Sequence, residues 1–191
     1  MSQIPLSMTF PPGPIDDTPV KGWAWWHGGG YTPRYECGIS DEVEYHGHKC
    51  LYIRSNDDRP AYLPSPPFYS AAVMQFIATD KYRGKRTKFS AAIKTDAVDG
   101  SAYLVMMVLG PARELLSYDF MEGRNISGIT DWKRVDVVLD VPMASLQVIV
   151  GVAIAEKGQI WASGLTFEET NLPTTGVKIL QDEPTIFDFT E

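Results

Sequence analysis

Turn-forming residues cut this chain into pieces too short for long helices. Tyr82-Arg83-Gly84, Asp99-Gly100, Leu109-Gly110-Pro111, Glu122-Gly123 and Lys157-Gly158 place a glycine beside polar, charged or proline residues, and such clusters punctuate regular elements. Between them lie segments rich in β-branched and aromatic residues: 49–54, 73–78, 87–94, 102–109, 132–139, 146–155 and 159–167. Strands recurring with turns at this spacing predict an all-β antiparallel sandwich or barrel. Segment 102–109 (AYLVMMVL) has no charged residue, which suits a central strand covered on both faces. Segment 112–116 is a short helical candidate. Sixteen glycines and fourteen prolines among 191 residues exceed the roughly 12% share of ordinary domains and agree with many turns.

The chain divides by composition into an arm, a body and an arm. Residues 1–20 carry Pro5, Pro11, Pro12, Pro14 and Pro19, and proline lacks the N–H that a sheet interior needs. The body spans 21–170. From 171 to 191, Pro173 and Pro184 are mixed with acids and with Ile179, Leu180, Phe187 and Phe189. The arms suit a homodimer contact. Segment 57–69, with Pro60, Pro64, Pro66 and Pro67, reads as a long loop, and long loops on a β scaffold are where function concentrates.

Charge and motifs remove several functions. Lys plus Arg number 17 against 24 Asp plus Glu, a formal net charge of −7, so neither nucleic acid nor an anionic membrane is the expected partner. No apolar run approaches a membrane span of roughly 18 residues. The first ten residues lack the basic start of a secretory signal, and two cysteines, Cys37 and Cys50, do not build a disulfide framework. A cytoplasmic location is expected. There is no phosphate loop, dinucleotide fingerprint, zinc-protease motif or nucleophile elbow.

Short motifs recur in order: Gly22-Trp23, Tyr35-Glu36-x-Gly38, Met74-Gln75-Phe76, Tyr82-Arg83-Gly84-Lys85-Arg86, Leu116-Ser117-Tyr118-Asp119-x-Met121, Gly128-x-Thr130-Asp131-Trp132, Val138-Leu139-Asp140-Val141-Pro142 and Gly158-Gln159-Ile160-Trp161. Together they resemble a widespread bacterial family of small jelly-roll proteins, loosely described as regulators and without a settled activity. The resemblance covers about residues 21–170 and implies an antiparallel jelly-roll β-sandwich like galactose-binding and carbohydrate-binding modules. Jelly rolls of this size also serve as cofactor-free cyclases, in cyanobacterial indole-alkaloid synthesis and in fungal hetero-Diels–Alder couplings; that link is one of fold and size. The family's strand at 103–109 reads roughly Gly-Leu-Trp-Met-Arg-Val-Asp, so the face of Tyr103, Val105, Met107 and Leu109 has exchanged charges for apolar groups. In related modules an early Glu, here Glu36, and a late Asp complete a structural calcium site. The Asp pair usual after Trp161 is missing here, so no metal or cofactor is assigned.

These residues lead to an expected site. The apolar wall of Tyr103, Val105 and Met107, with Phe120 and Met121, would seat a small lipophilic substrate. Trp25, Trp26 and Tyr31 would stack on it from the 25–31 segment, with Gln75, Asn125, Gln159 and Trp161 as further binding residues. His27, Tyr118 and Arg124 would supply the donor or proton shuttle that a cofactor-independent cyclase or pericyclase needs. The alternative is a non-catalytic module binding a carbohydrate or other small molecule, with the wall as packed core. His46-Gly47-His48 is half a metal site at most and reads better as a turn. The cations Arg83, Lys85, Arg86 and Lys88 read as a solvated hairpin.

Overall fold

The computed structural model describes residues 15–17, 22–28, 35–56 and 70–179. They form eleven strands: β1 (Ile15–Asp17), β2 (Ala24–Gly28), β3 (Tyr35–Tyr45), β4 (His48–Ser55), β5 (Ser70–Ala78), β6 (Lys85–Leu109), β7 (Leu115–Asp119), β8 (Ile126–Val141), β9 (Gln147–Ala155), β10 (Gln159–Glu169) and β11 (Val177–Lys178). All pairings are antiparallel. The fold is the jelly-roll β-sandwich that the sequence predicts. No helix occurs among the described residues, and none is long and apolar enough to cross a membrane.

One curled sheet makes both layers, in the order β1-β2-β5-β9-β6-β10-β4-β3. The 25-residue β6 is the hinge between them. Its first half, from Lys85 to Asp96, lies between β8 and β10 in the back layer with β4 and β3. Its second half, from Ser101 to Leu109, lies against β9 and β7 in the front layer with β5, β2, β1 and β11. The Asp99-Gly100 turn expected from sequence is therefore absent. The strand runs through with register shifts after Ile93, Thr95 and Val98 and a left-handed Ala97 at φ 48°, the marks of bulges that bend a strand. Gly100 serves close approach instead: a Cβ there would sit 2.5 Å from the Ala155 carbonyl oxygen.

The short helical candidate is likewise a turn. The Gly110 N–H bonds the Glu114 carbonyl at 2.9 Å, and β7 starts at Leu115; so few residues do not repay helix nucleation. His46 and Gly47, at φ 50° and 78°, form the two-residue turn between β3 and β4, with Tyr45 opposite His48. Both central positions need positive φ, as hairpin turns of this type do.

Alternation sends Trp25, Val73, Leu104, Met106, Val150 and Val152 of the front layer inward, against Ile53, Phe89, Ile93, Leu139 and Ile160 of the back. This is the main core. Beyond β10, Thr175 straps the chain down: its N–H bonds the Val138 carbonyl at 2.9 Å, and its hydroxyl takes the Val138 N–H at 2.7 Å.

Candidate functional site

The front layer is apolar on its outer face as well. Trp26 of β2, Ala72 and Met74 of β5, Val105, Met107 and Leu109 of β6, and Ile149 and Ala153 of β9 form a second buried cluster. Met107, one of its central members, is 1% exposed. The cause is local. Segments 102–109 and 148–154 alternate apolar with apolar, so both faces of β6 and β9 must leave water. Gly151 permits the close packing of β5 on β9, since a Cβ there would lie 2.9 Å from the Met74 side chain.

A rim of half-buried groups surrounds this floor: Phe76, Tyr103, Leu115, Tyr118 and Phe120. Tyr118 stands in register with Met107, and the Tyr118 and Phe120 rings lie 4.9 Å apart at 37°. Burial pushes the Tyr103 hydroxyl up to about 12. Near neutral pH it is a fixed hydrogen-bond donor and not a base.

The expected residues separate. Trp26, Tyr103, Val105, Met107, Tyr118 and Phe120 share this face. Trp25, being adjacent to Trp26, points the other way into the main core. Gln75 is half-buried in register with Val150 and has the parity of Val73, so it belongs to the inward set. Met121 leaves the wall altogether. At φ 55° it turns into the main core, where its sulfur accepts the Leu104 N–H at 3.2 Å.

Arg124 donates to Asp119 Oδ2 at 2.6 Å and to the Asp136 carbonyl at 3.0 Å. The same buried Asp119 carboxylate accepts the Met121 N–H at 2.7 Å and the Thr175 hydroxyl. That node fastens the β7–β8 turn to the strap. Asn125 is exposed and donates to the Ser101 hydroxyl at 2.6 Å. Gln159 and Trp161 lie on β10 in the back layer, in register with Arg54 and Tyr52. His27 is in β2 opposite Ala71, with its side chain outside the described residues, as are Tyr31 and the 57–69 segment.

The structure adds Met74, Phe76, Ile149 and Ala153 to this face, none of which the sequence reading placed in the site. The signal was present in VIVGVAIA (148–155), which is as apolar on both parities as 102–109.

Other features are structural. Lys85, Arg86 and Lys88 meet Glu169, Asp140 and Glu168 at 2.5, 2.7 and 2.8 Å. Arg83 bonds the Ser145 carbonyl at 2.9 Å. A cleft of about 350 Å³ beside them is lined by Gly84, Lys85, Arg86, Glu169, Thr170 and Asn171, and its cations are already neutralised. Glu36 is ion-paired with Arg54. No group of three or more His, Cys, Asp or Glu side chains placed to hold a metal occurs among the described residues.

No family model matches the chain. A Bacillus subtilis (strain 168) protein named as an uncharacterized HTH-type transcriptional regulator, YbfP, is 33% identical over 177 residues, 90% of this chain. The match spans 57% of that relative's own length. Among solved structures, the CBM22-1 xylan-binding domain of Paenibacillus barcinonensis Xyn10C superposes with a TM-score of 0.55 over 85% of this chain and 99% of its own, at 11% identity. A family 16 carbohydrate-binding module gives 0.51 over 71% and 86%, at 18% identity. The enzymatically active domain of the bacteriophage CBA120 tailspike protein 4 gives 0.58 over 78% of this chain and 20% of its own, at 12% identity. At these identities the likeness is one of fold: this chain has the jelly roll that carbohydrate-binding modules share.

Proposed function

We propose that this chain is a non-catalytic jelly-roll module that binds a carbohydrate or other small molecule on the outer face of its front layer, as the effector-sensing part of a regulator. The observation that carries it is the second apolar cluster on a sheet whose inner face already holds the core. Its floor is closed by Met107 and Ile149, and its rim is made of half-buried Phe76, Tyr103, Tyr118 and Phe120. A ligand with an apolar face and a hydroxyl or carbonyl at its edge fits that rim, with Tyr103 as donor.

Binding is favoured over cyclisation for two reasons. Arg124 is held by Asp119 and the Asp136 carbonyl. The likeness to carbohydrate-binding modules supports recognition, and nothing in the comparisons supports a cyclase. The regulatory part of the reading is supported by the relative named as a regulator. The helix-turn-helix in that name has no counterpart among the described residues here, which contain no helix.

A thermal-shift panel of mono- and oligosaccharides and small amphiphiles tests this, with mass spectrometry of the recovered ligand. A ligand at about a hundred times its Kd adds about 2.7 kcal/mol, or roughly 5–10 °C in Tm for a domain of this size. Met107→Arg should abolish the shift, and the milder Phe120→Ala should reduce it. A recovered ligand that is chemically converted refutes the non-catalytic reading; a shift that survives both substitutions refutes the location.

A further inference from the structure

The back layer carries a differently built outer face, independent of the front-layer reading. Lys94 of β6, Trp161 of β10, Tyr52 of β4 and Gly38 of β3 stand in register across four neighbouring strands. In-register residues of antiparallel strands share a face. At roughly 4.8 Å per strand the row is about 14 Å long. Trp161 and Tyr52 are both half-buried.

Gly38 is what lets Tyr52 lie down. A Cβ at residue 38 would come within 2.9 Å of Tyr52 Cε1 and 3.1 Å of its hydroxyl. Two residues along, a second in-register row runs parallel to the first: Asp96, Gln159, Arg54 and Glu36. Arg54 is ion-paired with Glu36, and its guanidinium sits 5.6 Å from the Tyr52 ring centroid. One row offers the Trp161 ring beside a Tyr52 ring that carries the Arg54 guanidinium over its face, the other a carboxamide, a guanidinium and two carboxylates.

We infer that this double row is a second binding site, for the pyranose rings of an oligosaccharide. A pyranose has an apolar C–H face and a rim of hydroxyls that both donate and accept, and the two rows match those two parts. Other occupants fit worse. Single-stranded nucleic acid stacks on rings but needs unpaired cations for its phosphates; here Arg54 faces Glu36, Lys94 lies 3.6 Å from Asp131, and the chain carries −7 overall. A protein partner wants a contiguous apolar patch, and charged side chains interrupt this one.

The test is titration of the full chain with cellohexaose and with xylohexaose, read by tryptophan fluorescence and calorimetry. Wild type should bind at least one. Trp161→Ala should weaken that binding about fivefold to tenfold, the weight of one stacked ring. Trp161→Phe should largely restore it. Gly38→Val, which displaces the Tyr52 ring without removing it, should also weaken binding, and Met143→Ala, at an exposed position in the turn between β8 and β9, should leave it unchanged. If Trp161→Ala fails to fold, Trp161→Phe and Gly38→Val still decide. The inference is overturned if neither hexasaccharide binds, if the Trp161 and Gly38 variants bind as wild type, or if an oligo-dT binds in place of the sugars. Loss in Phe120→Ala with Trp161→Ala unaffected overturns this site and leaves the front-layer reading standing.

Discussion

The outer faces of the two layers have opposite characters, although one strand, β6, contributes to both. Its second half presents Tyr103, Val105, Met107 and Leu109 outward, all packed in the second apolar cluster. Its first half presents Arg86, Lys88, Ser90 and Lys94 outward. There Arg86 pairs with Asp140, Lys88 with Glu168 and Lys94 with Asp131, and the Ser90 and Thr166 hydroxyls bond at 2.8 Å. The inner face is apolar along the strand except at Thr87 and Thr95, whose buried hydroxyls bond the Leu139 and Gly128 carbonyls. The inner face is thus set by the sandwich, while the outer face is free to be matched to whatever each layer meets.

Five substitutions sharpen that contrast. The largest effect belongs to the inner face: Leu104→Ala should cost about 2–5 kcal/mol in urea unfolding, the price of a cavity in the core. Met107→Ala, on the opposite side of the same strand, should cost less in the free protein, by at least about 1 kcal/mol, if its face is a ligand seat that gives way more easily than the core. Equal costs would mean the two clusters are packed alike and would break the comparison.

On the back layer the expected effects are smaller. Removing the Lys88–Glu168 pair through Lys88→Ala, Glu168→Ala and the double variant should yield a coupling of no more than about 1 kcal/mol, since both groups are on the surface and screened. A larger coupling would show that face to be less solvated than its charges imply.

The last effect concerns pH. Tyr103 has its folded pKa raised from 10.0 to about 12 by burial. Its neutral form is favoured by folding, so its contribution is fully present below about pH 10 and falls away as pH rises towards about 12. The urea midpoint of wild type should therefore decline between about pH 10 and 11.5, and Tyr103→Phe should flatten part of that decline. An identical decline in the variant would remove Tyr103 as its source.

Most of the fold is legible along the chain, because it rests on local chemistry. The strands at 49–54, 73–78, 146–155 and 159–167 fall within or nearly on β4, β5, β9 and β10, and the turns at Gly84 and Gly158 fall where glycine supplies a positive φ. The failures have two causes. Asp99-Gly100 resembles a turn locally, but pairing with Ala155 and β8 holds it extended. Residues 24–28 and 35–45 are strands without an obvious alternating signature, since aromatic and acidic positions mask it.

The candidate site was legible in part. That Tyr103, Val105 and Met107 share an apolar face follows from a period of two. That Trp25 and Trp26 part company follows from the same rule, once β2 is known to be a strand. Nothing local says that Met121 turns inward, that Arg124 and Thr175 meet on Asp119, or that Trp161 belongs to the other layer.

The sequence by itself therefore determined the class of fold, the parity of each strand and the apolar character of segment 102–109, because these depend on neighbours within a few residues. Which strands lie side by side was decided only by the tertiary structure. Pairing β6 with β9 and β7 at one end, and with β8 and β10 at the other, is a choice among contacts far apart in the chain. It put Trp161 beside Tyr52 and Met107 beside Ile149, and so made two outer faces from residues that the linear order had grouped as one.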